Sequence, residues 1–97
     1  VYLNRGNRIL SSEIISKGGL TGTVADVRII LKNALLACAT GILLFHNHPS
    51  GNLQASQADI SLTKKITSAA NLMDIQVLDH LIVSCEGYIS LLDEGLF

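Results

Sequence analysis

The sequence predicts an α/β domain in which a mixed, mostly antiparallel sheet is flanked by two helices. Three observations carry this. Residues 23–39 hold one continuous apolar stripe at helical spacing: Val27, Ile30, Leu31, Ala34, Leu35 and Cys38. Residues 41–45 and 75–84 are short apolar runs bounded by turn chemistry, which is the pattern of buried strands. Residues 56–72 open on Ser56 with an acidic residue three positions on, the signature of a capped helix start.

Taken in order, Val1, Tyr2 and Leu3 read as a strand, and Asn4-Arg5-Gly6-Asn7 as a turn whose Gly and Asn tolerate positive φ. Residues 8–17 return as the second arm of a hairpin. Their Ile9-Leu10 and Ile14-Ile15 doublets break strict alternation and predict a bulge or bend. Lys17-Gly18-Gly19-Leu20-Thr21-Gly22 is a flexible crossover. The first helix follows over 23–39, with Asp26 in its first turn, where the helix dipole favours an anion. Arg28 reads as a solvated helix residue and Cys38 as part of the apolar face. After the strand at 41–45, the second helix spans 56–72, with Ile60, Ile66, Ala69, Ala70 and Met73 inward. A strand over 75–84, a turn at Glu86-Gly87 and an antiparallel return over 88–92 complete the chain.

Ninety-seven residues suffice for one compact domain with a core, but not for two. With 48% apolar and 15% charged residues the chain is not of the disordered class. A net charge of −1 with scattered Lys and Arg argues against direct grip on nucleic acid, which needs a basic patch. No apolar run is long enough for a membrane span. Two cysteines are too few for a disulfide framework; a buried Cys38 and a partly exposed Cys85 fit a reducing cytoplasm.

The chemistry concentrates in Phe45-His46-Asn47-His48-Pro49-Ser50-Gly51, followed by Ser56 and Asp59. On a strand, His46 and His48 point to one face and Asn47 to the other. Pro49 and Ser50-Gly51-Asn52 take the chain out of the sheet, and the helix start at Ser56 folds Asp59 back toward the histidines. Two imidazoles and a carboxylate are three ligands suited to zinc, with a fourth position left for water, the arrangement of catalytic sites. The bland reading stands beside it. A His-x-His pair can be two polar residues at a strand end, and Asp59 can be the second half of a capping box. Asp79 and His80 interrupt an apolar strand. They are either residues that orient a ligand from behind or a core pair satisfied by the backbone.

His46-x-His48, seven residues, then Ser56-x-x-Asp59 resembles the signature of the JAB/MPN (JAMM) metalloproteases. The run His46-Asn47-His48-Pro49-Ser50-Gly51, with Asp79-His80 further on, is similar to the bacterial RadC-like branch, often labelled a DNA-repair protein. The resemblance covers essentially the whole chain. It implies a JAB/MPN-like domain with cytidine-deaminase-like layering, with zinc held by His46, His48 and Asp59. It implies that Ser56 stabilises the oxyanion and that a Glu upstream acts as general base. That Glu sits just before the first strand, and this chain starts at Val1, already inside it. The expectation is therefore a single domain over residues 1–97 that is cut at its N-terminus.

Two functions follow as expectations. The first is a zinc-dependent hydrolase of peptide or isopeptide bonds acting on a protein or peptide substrate. The second is a non-enzymatic metal-bearing module of a DNA-repair-associated protein, one that docks a protein or DNA partner. A Glu encoded before Val1 favours the first; its absence from the natural protein favours the second.

Overall fold

A computed structural model describes residues 1–12, 26–47 and 54–97. Among the described residues, five strands form one sheet in the order β2-β1-β3-β4-β5. The strands are β1 (Tyr2–Leu3), β2 (Ile9–Ser11), β3 (Gly41–Asn47), β4 (Gln76–Ser84) and β5 (Gly87–Ser90). The helices are α1 (Val27–Leu36), before β3, and α2 (Gln57–Asn71), which crosses from β3 to β4. Three of the pairings are antiparallel and β3–β4 is parallel, so the sheet is mixed and mostly antiparallel, as predicted. A parallel pair needs a long crossover, and α2 supplies it.

The first hairpin closes as its turn residues dictate. Asn4 Oδ1 accepts from the Gly6 and Arg8 amides, at 3.0 Å each, and Asn7 takes φ 60°. The Ile9-Leu10 doublet does mark a bulge: Tyr2 pairs with Ser11 but Leu3 with Ile9, so Leu10 is the extra residue. The second doublet, with the rest of the predicted arm to Lys17 and the crossover through Gly22, lies outside the described residues.

Helix α1 is shorter than the predicted span. Asp26 has extended backbone (φ −81°, ψ 114°) and is the N-cap, accepting from the Arg28 amide at 2.9 Å, rather than a first-turn residue. At the other end the Cys38 amide bonds Leu35 O and the Ala39 amide bonds Ala34 O, while Cys38 takes φ 56°. This is a Schellman ending with cysteine in the left-handed position that glycine usually fills. Cys38 is therefore off the helix face and exposed, not buried. The apolar stripe narrows accordingly. Ile30, Leu31 and Ala34 are buried, whereas Leu35 is 54% exposed.

The core lies between the sheet and both helices, built from Tyr2, Ile30, Ala34, Ile42, Ile66, Ala70 and Val77 among others. Tyr2 also donates its hydroxyl to Ile30 O at 3.2 Å, tying β1 to α1. Helix α2 occupies the predicted span, but its buried face reads Asp59, Thr63, Ile66, Ala70. Met73, expected inward, is 44% exposed because the helix has ended before it.

Strand β4 carries a second bulge. Ile42 pairs with Val77 and Leu43 with Asp79, so Leu78 has no partner on β3. A Cβ built on Gly41 would meet Leu78 Cδ1 at 3.3 Å, so this side chain packs tightly over the glycine. The bulge places Val77 and His80, three residues apart, on the same inward face.

Candidate functional site

The predicted site gathers where β3 ends and α2 begins. Strand β3 runs two residues further than the apolar run, to Asn47, so His46 is a strand residue on the inner face with Ile42 and Leu44. His46 Nδ1 stands 2.7 Å from Asp59 Oδ1. The histidine side chain is 44% exposed and the carboxylate only 6%. Strand and helix thus meet through a polar contact at the rim of the core. His48, the other predicted imidazole ligand, lies outside the described residues, as do Pro49, Ser50 and Gly51.

Ser56 and Asp59 form a full capping box. Ser56 Oγ accepts from the Asp59 amide and Asp59 Oδ2 accepts from the Ser56 amide, both at 3.0 Å. The two readings of Asp59 therefore coexist: Oδ2 caps the helix and in doing so aims Oδ1 at His46. Ser56 caps with a lone pair, and its hydroxyl proton is not used in the capping bond. Burial pushes the Asp59 carboxyl up, but the contacts with the Ser56 side chain and backbone, and the His46 imidazole, outweigh it. The carboxyl is held below the ordinary carboxylate range.

His80 is buried beneath this pair, 3% exposed, with its ring 6.2 Å from that of His46 between centroids. Its Nδ1 lies 2.5 Å from Thr63 Oγ1 of α2. Asp79 points to the other face, the one shared with Leu43. Its Oδ1 accepts from the His80 and Leu92 amides, at 2.7 and 3.2 Å, and Oδ2 from the Ser90 hydroxyl at 2.5 Å. Among the described residues, then, His80 belongs to the His46–Asp59 cluster, whereas Asp79 clasps the turn after β5 to β4. Thr63 was not singled out from sequence. Its place four residues after Asp59, on the same helix face, is the signal that could have found it.

The donor chemistry fits a divalent cation. An imidazole nitrogen and a charged carboxylate already approach to 2.7 Å, and a zinc ion takes both ligand types at about 2.0–2.2 Å. Among the described residues no three His, Cys, Asp or Glu side chains stand close enough together to hold a metal ion, and the third predicted ligand, His48, is not among them.

The family model for the RadC-like JAB domain matches residues 1–96. The chain belongs to the RadC-like JAB domain family. Curated relatives of this RadC-like JAB domain agree. A UPF0758 protein of Flavobacterium johnsoniae is 48% identical over 97 residues, covering all of this chain and 42% of that protein. A UPF0758 protein of Porphyromonas gingivalis is 45% identical over 99% of the chain and 43% of its own length. One from the archaeon Methanosarcina acetivorans is 39% identical over 98% of the chain and 42% of its length. This RadC-like JAB domain thus spans about two fifths of the relatives it matches. No described helix is long and apolar enough to cross a membrane.

Proposed function

We propose that this domain is a zinc-dependent hydrolase of peptide or isopeptide bonds, acting on a protein or peptide substrate. The observation that supports it best is the 2.7 Å approach of His46 Nδ1 to an Asp59 carboxylate kept charged in a nearly buried position. His46, His48 and Asp59 would hold the ion. Zinc, when bound, polarises a carbonyl and supplies hydroxide at neutral pH. The chain's own residues do the rest. The capping box fixes the carboxylate, and the Ser56 hydroxyl donates its proton as a hydrogen bond to the oxyanion that develops on the substrate.

The resemblance calls for a Glu upstream as base, and the register of the first strand is compatible with one. Tyr2 pairs with Ile42 and Leu3 with Gly41, antiparallel. A chain continued upstream in that register would set the third residue before Val1 opposite His46, on the same face. A base there would stand beside the imidazole. Both cysteines are free and exposed, which suits a reducing compartment such as the cytoplasm. The net charge of −1 gives the domain no grip of its own on nucleic acid.

Metal analysis after dialysis against zinc tests the reading. One zinc per chain is expected in the unaltered protein, and none in folded His46→Ala or Asp59→Ala. Stoichiometric zinc in both variants would reject these ligands.

A further inference from the structure

The buried face of α2 sets two polar residues, Asp59 and Thr63, ahead of Ile66 and Ala70. Thr63 is fully buried. Its Oγ1 lies 2.7 Å from the Asp59 carbonyl oxygen and 2.5 Å from His80 Nδ1. A hydroxyl has one proton to give, a carbonyl can only accept, and an imidazole nitrogen can do either. Were Thr63 to donate to His80, its oxygen and the Asp59 carbonyl oxygen would face each other at 2.7 Å with no proton between them. Only one direction satisfies both contacts. His80 Nδ1–H donates to Thr63 Oγ1, and Thr63 O–H donates to Asp59 O. The proton of the neutral ring is then on Nδ1, and Nε2 is its acceptor nitrogen.

We propose that Thr63 is a positioning residue that sets the tautomer of His80, making this imidazole a lone-pair-bearing member of the His46–Asp59 centre. The chain of bonds is anchored on the backbone of Asp59, the residue whose side chain meets His46. His80 sits on the same inner face as His46, on the neighbouring strand, with ring centroids 6.2 Å apart. In the other tautomer Nε2 would carry the ring's N–H, the positive end of its dipole. In this one Nε2 carries the lone pair, so the ring meets a cation or a proton donor at that nitrogen as an acceptor. The ligand part of the inference rests on the proposed zinc reading; the tautomer does not.

Long-range proton–nitrogen NMR correlations of the imidazoles in the ¹⁵N-labelled chain test it, alongside zinc titration of the same samples. The proton of His80 is expected on Nδ1 in the unaltered protein and in Thr63→Ser, which keeps the hydroxyl. Thr63→Val, which keeps the shape and loses the hydroxyl, is expected to move it toward Nε2. That variant should also weaken zinc binding by about 10- to 100-fold, the usual effect of removing a group that orients a metal site from behind, with Thr63→Ser restoring it. An Nε2–H ring in the unaltered protein or in Thr63→Ser overturns the proposal, and both spectra can be read even where Thr63→Val does not fold. An unchanged tautomer in folded Thr63→Val overturns it too, as does a shifted tautomer with undiminished zinc affinity. If the unaltered chain takes up no zinc, the hydrolase reading fails, and the tautomer alone decides the role of Thr63.

Discussion

One carboxylate carries two duties at this site. Asp59 divides its oxygens between the Ser56 amide and the His46 imidazole, so the bond that starts α2 also orients the group offered to a ligand. Its folded pKa is below the ordinary value, so the sign of the pH dependence follows. Asp59 adds stability that is fully present above its unfolded pKa of about 3.9 and is lost as the pH falls through the lower folded value. Melting temperature followed into acid should therefore fall more steeply for the unaltered chain than for Asp59→Asn, which has no such charge to lose. Parallel acid limbs would contradict the assigned shift. Ser56 is double as well, since capping uses a lone pair and oxyanion donation would use the proton. Ser56→Ala should cost about 1 kcal/mol of stability for the cap. On the proposed hydrolase reading it should also lower turnover of the full-length protein by about 100- to 1,000-fold, with zinc content unchanged. A lower melting temperature with an unchanged rate leaves Ser56 as a cap alone.

The helices show what periodicity conveys and what it leaves out. The stripe of α1 was legible through Ile30, Leu31 and Ala34, because a core-facing side must be apolar at that spacing. Its ends were not. A cap is set by backbone conformation, and neither Asp26 as N-cap nor Cys38 as a left-handed residue alters the hydrophobic pattern. Cysteine there bears a steric penalty that glycine escapes, of about 1–2 kcal/mol. Cys38→Gly should raise the melting temperature by several degrees, given about 4–8 °C per kcal/mol for a domain of this size. Cys38→Ala should not, since it keeps the Cβ. Equal melting temperatures for the two variants would place the strain elsewhere. In α2 the capped start was plain from Ser56 and Asp59, but the buried Thr63 was not. The one sign of it is its place four residues after Asp59 on the same face, while its partner, His80, arrives from a strand 17 residues away.

Across the whole molecule, the sheet and its flanking helices were readable because two apolar runs and two helical patterns leave few ways to bury them together. The convergence of His46 and Asp59 was readable too, since a strand end and a capped helix start were separated by a short stretch of turn residues. What stayed hidden was the separation of Asp79 from His80. Both looked like members of one site, yet alternation sends them to opposite faces, one to the clasp with Ser90 and the other to Thr63. The unpaired Leu78 has a further consequence. Along a regular strand an odd spacing separates faces, so Val77 in the core and His80 at the site could not both turn inward. Leu78 works as a spacer that resets the parity of β4, with Gly41 opposite making room for it. Upstream of it the strand turns Val77 inward, and downstream it turns His80 and Ile82. The two halves of β4 serve one interior but keep separate phases.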